Sequence, residues 1–133
     1  MIVLDTHTLI WWVGNDAQLS TKAKKAIKKE MAAPSGQILV SSITAWEVSM
    51  LVTKDRLTLT MDVDSWLSVV ESIENLQFVP VNNKVAIEST RLPGEFHKDP
   101  AVRLIVALAR TMSAPLVTAD EKIRSYSHVK TIW

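Results

Sequence analysis

Four acidic side chains stand next to predicted strands in positions that could bring them together. Asp5 comes directly after an apolar segment, and Asp120 lies two residues beyond another. Glu47 falls in the helix after the second strand, and Asp99 stands at the start of the helix that leads to the fourth. Mg²⁺ and Mn²⁺ prefer carboxylate oxygens and keep waters that a phosphate can displace. A cluster of these acids would support metal-assisted cleavage of a phosphodiester bond.

Each acid also has a simpler, structural interpretation. Asp99 precedes Pro100, a pair that favours a helix N-cap, and Asp120 could be a plain cap as well. Glu47 alone would be an ordinary helix residue. The position of Asp5 favours a function, because burying a carboxylate after a strand is costly unless it is paired or bound to a metal.

The elements that must position these acids alternate along the chain as strands and helices. Apolar segments predict strands, and apolar periodicity behind a capping residue predicts helices. The predicted strands are 1–4, 37–40, 78–81, 116–118 and 129–132. The predicted helices are 9–13 capped by Thr6 or Thr8, 22–31 capped by Ser20 or Thr21, 45–52 capped by Ser42 or Thr44, one from Asp62 or Asp64 to Ile73, 84–91, one from Asp99-Pro100 through 104–112, and one from Asp120 to about Tyr126.

This order predicts an α/β protein, a three-layer sandwich with a central, mostly parallel five-stranded sheet. The strands lack polar alternation, which indicates that helices cover both faces of the sheet. The working site of such a fold lies at the carboxyl ends of the strands. The length of 133 residues suits a single domain over 1–133.

Composition excludes several classes of protein. The absence of cysteine excludes a disulfide framework and a thiolate metal site. No apolar stretch approaches the roughly 20 residues that cross a bilayer, and Asp5 interrupts what would be a signal sequence, so we expect a cytoplasmic protein without membrane contact. None of the three glycines forms a phosphate-binding loop, and there is no Gly-x-Ser-x-Gly elbow, which argues against nucleotide-binding folds and serine hydrolases.

Several other residues carry weaker signals. The net charge of +1 does not indicate a nucleic-acid binder. The lysines at 22–29 favour a solvated helix face over an RNA contact. His97 could contact a phosphate or be an ordinary loop histidine. The five tryptophans are typical of a core, but Trp11 and Trp12 cannot both point inward, so one of them is expected at an interface.

Four segments in order resemble the PIN domain, and more narrowly the VapC-type toxins of bacterial toxin–antitoxin pairs. They are VLDTH at 3–7, SITAWEV at 42–48, HKDPAVRLIVA at 97–107 and VTADEKI at 117–123. The resemblance implies an endoribonuclease that depends on Mg²⁺ or Mn²⁺, cuts tRNA or ribosomal RNA, forms a homodimer and is neutralised by a cognate antitoxin. It implies that Asp5, Glu47 and Asp120 are catalytic and hold the metal. Asp99, Thr118 and Arg103 are possible auxiliary residues.

One departure from the family pattern puts the activity of this chain in doubt. Val102 stands where the family has an aspartate that is a principal metal ligand. Asp99 is not expected to replace it, because the N-cap role occupies its carboxylate. The lost charge should weaken metal binding about tenfold or more while leaving the fold intact. Two explanations fit Val102: an inactivating change, selected or engineered in a toxic protein, or a naturally inactive relative.

Two other functions remain as alternatives. The first is a catalytically inactive PIN-like module that binds a protein partner or RNA. The second is a receiver-like or phosphatase-like domain with Asp5 as phosphoacceptor, which is disfavoured because position 7 is His7 instead of a second acid.

Overall fold

A five-stranded parallel sheet organises the computed structural model, which describes residues 1–133. Its strands are β1 Ile2–Leu4, β2 Ile38–Ser41, β3 Leu76–Val79, β4 Leu116–Val117 and β5 Thr131–Ile132. Their order across the sheet is β3-β2-β1-β4-β5, and every neighbouring pair is parallel. Strand β1 lies at the centre, where Leu4 pairs with Val40 on one side and Val117 on the other. The predicted parallel sheet is confirmed.

Seven helices connect and flank these strands. They are α1 Thr6–Val13, α2 Thr21–Ala32, α3 Ser42–Thr53, α4 Val63–Glu71, α5 Asn83–Thr90, α6 Pro100–Thr111 and α7 Glu121–Arg124. No helix is long and apolar enough to cross a membrane.

Two of the predicted helix caps are wrong, for the same physical reason. Helix α1 is capped by Asp5, and α3 is capped by Ser41. Only Asp5 separates β1 from α1, and α3 begins directly after the last residue of β2. Both caps therefore lie before the threonines and serines that the sequence favoured. The caps of α2, α4, α6 and α7 are among those predicted: Ser20, Asp62, Asp99 and Asp120.

Strand β3 lies two residues earlier than predicted. Leu76 pairs with Ile38, and Val79 pairs with Ser41. Asn75 fixes this start, because its side-chain amide donates to three backbone carbonyls around the end of α2, at 3.0–3.3 Å. Pro80 has no amide hydrogen to continue the ladder, so the strand ends before it. Strand β5 is also shorter than predicted and begins at Thr131.

The core forms two apolar clusters, one on each face of the sheet. Along β1, Ile2 and Leu4 pack on one side and Val3 on the other, as strand geometry requires. The first cluster takes residues from α1 to α4, including Leu9 and Trp66. The second takes residues from α5, α6 and α7. This arrangement confirms the three-layer sandwich.

The tryptophans only partly follow the prediction of a core role. Trp66 is buried, whereas Trp46 on α3 is 55% exposed. Trp11 and Trp12 are both half-buried, and Trp11 contacts Trp133 with ring centroids 5.8 Å apart. Neither member of the pair is the exposed tryptophan; that residue is Trp46, which immediately precedes Glu47. The α2 lysines are all exposed.

Candidate active site

The four acids line one cavity at the carboxyl edge of the sheet. This cavity, here called the acid cavity, has a volume of about 480 Å³ and opens between α1, α3, α6 and α7. Asp5 enters it from the end of β1, and Glu47 from α3. Asp99 and Asp120 enter it from the first turns of α6 and α7. No lysine or arginine lines it, and its only basic side chains are those of His7 and His97.

Asp5 is the most buried of the four carboxylates. Only 9% of the residue is exposed, and its Oδ1 accepts a hydrogen bond from the Thr8 backbone N–H at 2.9 Å. Burial raises the pKa of Asp5, although the Thr118 hydroxyl and the Thr8 amide favour the charged form and offset part of this effect. The fold therefore buries a carboxylate whose charged form its hydrogen bonds stabilise only in part.

Glu47 is held by a relay of buried hydroxyl groups. The Thr6 hydroxyl donates to Glu47 Oε1 at 2.6 Å and lies 3.0 Å from the Thr44 hydroxyl. Because Thr6 has one hydroxyl proton and gives it to Glu47, Thr44 must be the donor to Thr6. Burial raises the pKa of Glu47, and the charges of Asp99 and Asp5 raise it further. The two aspartates are thus close enough to repel Glu47.

Asp99 and Asp120 serve as helix caps and as walls of the cavity. Oδ1 of Asp99 accepts from the Ala101 N–H at 2.9 Å, and Oδ1 of Asp120 accepts from the Lys122 N–H at 2.8 Å. In both residues the second carboxylate oxygen has no protein donor. The cap and ligand interpretations are therefore compatible, because each role needs a different oxygen.

Val102 lies in the same cavity at the third position of α6, three residues after the Asp99 cap. Its side chain is half-buried and also packs against the core. No three acidic or histidine side chains of the chain converge closely enough to form a ready metal cage. The donors present fit an open site, in which one or two carboxylates and several waters hold a hard cation.

Arg103 does not line the acid cavity. Its Nε donates to the Ser89 carbonyl at 2.8 Å, and its Nη1 donates to the His97 carbonyl at 3.1 Å. These bonds tie the loop before α6 to the end of α5. Arg103 thereby positions His97, which lines the cavity. Thr118 is fully buried beneath the cavity, and its hydroxyl accepts from the Asp120 N–H at 3.1 Å.

We expect Arg103→Lys to lower the free energy of unfolding by roughly 1–2 kcal/mol, because a lysine cannot make both forked bonds. Urea unfolding followed by tryptophan fluorescence would measure the loss. Arg124→Lys is the matched control, since Arg124 makes only an exposed ion pair with Glu121 at 3.3 Å. Equal effects of the two substitutions would contradict the anchoring role of Arg103.

Some residues of the site were not found from the sequence. Thr6 and Thr44 orient Glu47, and His7 and Trp11 line the cavity. Thr6 immediately follows Asp5, and Thr44 lies one helical turn before Glu47, so proximity to a predicted acid was the available signal. The contact between the two threonines spans 38 residues, and only the register between β1 and β2 brings them together.

Comparison with known proteins supplies the family. The family model described as PIN domain matches residues 2–129. The chain belongs to the PIN-domain family. Ribonuclease VapC22 of Mycobacterium tuberculosis (strain ATCC 25618 / H37Rv) is 33% identical to it over 134 residues, which cover 99% of this chain and 98% of the relative. The resemblance to PIN domains of the VapC type is therefore confirmed.

Solved structures agree on the fold. The DNA-bound VapBC of Salmonella typhimurium matches with a TM-score of 0.67 and 21% identity, over 98% of this chain and 97% of the other. FitAcB from Neisseria gonorrhoeae matches with a TM-score of 0.68 and 19% identity, over 98% and 96% of the two chains. A toxin–antitoxin complex from Klebsiella pneumoniae matches with a TM-score of 0.65 and 19% identity, over 97% of this chain and 95% of the other. These likenesses show a PIN-like fold.

Proposed function

We propose that this PIN domain is a VapC-type endoribonuclease toxin that acts on tRNA or ribosomal RNA with Mg²⁺ or Mn²⁺, and that Val102 impairs it. The observation that carries the proposal is the acid cavity, where four carboxylates meet and no lysine or arginine balances them. A polyanion such as RNA would be repelled from this cavity unless a cation occupied it. The ribonuclease relative, similar over nearly the full chain, supports the same class of reaction.

In this proposal Asp5, Glu47 and Asp120 hold the metal ion together: since no three acidic side chains converge on one point, Asp5 and Asp120 would bind it directly and Glu47 would hold it through a bound water. Asp5 supplies a buried carboxylate whose direction is fixed by the α1 cap bond. Asp120 offers the oxygen that its cap bond leaves free. The bound ion would activate water and offset charge on the scissile phosphate. Glu47 is fixed through Oε1 by Thr6, and its raised pKa suits it to accept a proton from water.

We also propose a cognate antitoxin as the partner. The solved structures with this fold include toxin–antitoxin complexes, and the unbalanced acid cavity would accept an arginine from such a partner. Trp46, exposed beside Glu47, provides apolar surface that a partner would cover. The homodimer implied by the resemblance is likewise a proposal. Sedimentation equilibrium would separate a 14.8 kDa monomer from a species of twice that mass.

Cleavage of total RNA tests the nuclease proposal. Val102→Asp should cut tRNA or ribosomal RNA at discrete positions in Mn²⁺ or Mg²⁺ and stop in chelator, while the present chain cuts at least tenfold more slowly. Mapping the new 5′ ends would identify the target. Val102→Asp combined with Glu47→Gln is the control and should be inactive, which excludes a contaminating nuclease. Failure of Val102→Asp to cut any RNA under these conditions would refute the proposal.

A non-cutting PIN-like module is the second candidate. Val102 and the absence of a three-ligand cage favour it. This candidate predicts that the chain binds its partner or RNA with the same affinity in chelator and in Mn²⁺. It would take the place of the nuclease if Val102→Asp neither bound metal nor cut RNA.

A further inference from the structure

A second cavity adjoins the acid cavity, and the proposed chemistry does not use it. It also has a volume of about 480 Å³, and His97 lines both cavities. Its walls are the loop before α6 and the segment around the end of α7. We call it the aromatic cavity, because Phe96 and Tyr126 line it together with His97 and His128.

Two stacked rings form its wall. Phe96 and Tyr126 lie with ring centroids 4.2 Å apart and an interplanar angle of 28°. The Tyr126 hydroxyl donates to the Pro93 carbonyl at 2.6 Å, which fixes the position of that ring. Tyr126 is buried, whereas Phe96 is only half-buried and lines the cavity. The wall is thus a supported aromatic surface of the kind on which planar rings stack.

Two arginines anchor the rims of this cavity. Arg103 donates to the His97 carbonyl, and Arg110 donates to the His128 carbonyl. Burial raises the pKa of Tyr126, while the charges of Arg110 and Arg103 act in the opposite direction, so both guanidinium groups lie near this ring. Two guanidinium groups therefore lie close behind the backbone of the aromatic cavity, although neither lines it.

The polar groups of the cavity suit a nucleotide. Lys122 lines it, and Glu95 is its one carboxylate. His97 Nδ1 accepts from the Asp99 N–H at 3.1 Å, so the neutral ring carries its proton on Nε2 and can donate to a ligand. Since His97 also lines the acid cavity, a ligand there would reach toward the proposed metal site.

We propose that the aromatic cavity holds an unpaired nucleobase of the RNA, next to the phosphate that is cut at the acid cavity. The proposal rests on the endoribonuclease function proposed above. Proteins that read single-stranded RNA stack its bases on aromatic side chains and neutralise its backbone with nearby cations. The base would stack on Phe96, with Lys122 beside the backbone and His97 between the two cavities. The cavity volume lies in the range of small-molecule sites.

Nuclear magnetic resonance titration of the present chain in chelator tests this site without cleavage. We would add AMP, GMP, CMP and UMP separately, and ribose 5-phosphate as the probe that lacks a base. At least one mononucleotide should shift the Phe96, Tyr126 and His128 signals saturably, and ribose 5-phosphate should not. Phe96→Leu keeps an apolar side chain but has no aromatic face, so it should lower the affinity for that nucleotide about fivefold or more.

A surface variant covers the case in which Phe96→Leu does not fold. Lys122→Gln changes an exposed side chain. It should lower the affinity for the mononucleotide about twofold or more and leave the affinity for the matching nucleoside unchanged. Lys25→Gln on α2 is the matched control and should change neither.

The outcomes separate this inference from the function on which it rests. Suppose that Val102→Asp cuts RNA but no mononucleotide shifts the signals of the aromatic cavity, or that Phe96→Leu binds the mononucleotide as tightly as the parent does. The base site is then refuted and the nuclease proposal stands. If a mononucleotide binds there and Val102→Asp cuts nothing, the aromatic cavity stands as a nucleobase-binding site, while the nuclease proposal and the placing of a cut phosphate beside that base both fail. Shifts equal for mononucleotides and ribose 5-phosphate would show a phosphate contact alone and overturn the stacking role.

Discussion

Val102→Asp is expected to bind Mn²⁺ at least tenfold more tightly than the present chain. Position 102 already faces the cavity that contains Asp5, Glu47, Asp99 and Asp120. A unit charge about 4 Å from a dication gains roughly 8 kcal/mol at an effective dielectric near 20, twice the value for two unit charges, before desolvation. Only about 1.4 kcal/mol of this must survive to give a tenfold change. Calorimetric titration with MnCl₂ at neutral pH would measure it.

The same substitution should make the metal-free protein less stable. A fifth carboxylate would enter a cavity in which Asp99 and Asp5 already repel Glu47. The charge would also replace a valine side chain that packs partly against the core. A negative charge in the first turn of α6 interacts favourably with the helix dipole, but this offsets the loss of stability by only a few tenths of a kcal/mol. Mn²⁺ should therefore raise the melting temperature of Val102→Asp more than that of the parent.

Val102→Asn separates charge from shape in this experiment. It offers an oxygen of nearly the same position without the negative charge, so its Mn²⁺ affinity should stay within about threefold of the parent. If Val102→Asn matched Val102→Asp, the electrostatic argument would be wrong. If neither differed from the parent, position 102 would not contribute to a metal site.

The positions of the acids could be predicted because they depend on local patterns. An apolar strand followed by Asp5, and the Asp99-Pro100 pair before a periodic segment, are signals contained in a few residues. A parallel sheet then brings the carboxyl ends of β1 and β4 together. The edge that carries the acids followed from the parallel direction of the strands, without knowledge of their order across the sheet.

The remaining features depend on contacts between distant segments. Thr6 and Glu47 are 41 residues apart, and the Tyr126 hydroxyl reaches a carbonyl 33 residues away. Pattern and propensity contain no information about such pairs. The missed cap of α1 arises at an abrupt junction, where Asp5 alone separates β1 from α1 and its carboxylate both caps the helix and lines the cavity. Sequence rules assign one role to each residue, and this site uses three aspartates twice.

Asp5→Asn is expected to abolish detectable Mn²⁺ binding in the Val102→Asp background while stabilising the metal-free protein. Asparagine caps helices as well as aspartate does, so the bond from the Thr8 N–H should survive. The substitution removes a buried charge that lies near Glu47. The gain in the free energy of unfolding at pH 7 should be on the order of 1 kcal/mol. Urea unfolding and calorimetry on the same samples would measure both effects.

The pH dependence of unfolding gives this prediction its sharper form. Burial raises the pKa of Asp5, so losing its proton costs the folded state more than the unfolded state. The parent should therefore lose stability as pH rises from the ordinary aspartate range through the raised pKa, and stay level above it. Glu30 and Asp62, whose pKa values are lowered, add an opposite slope common to both proteins. The pKa of Glu47 is also raised, in part by the charge of Asp5, so the difference between the two proteins reports Asp5 together with its repulsion of Glu47. If the difference in the free energy of unfolding between Asp5→Asn and the parent stayed constant from pH 4 to 8, the pKa of Asp5 would not be raised in the folded protein. The physical argument for Asp5 as a metal ligand would then be wrong.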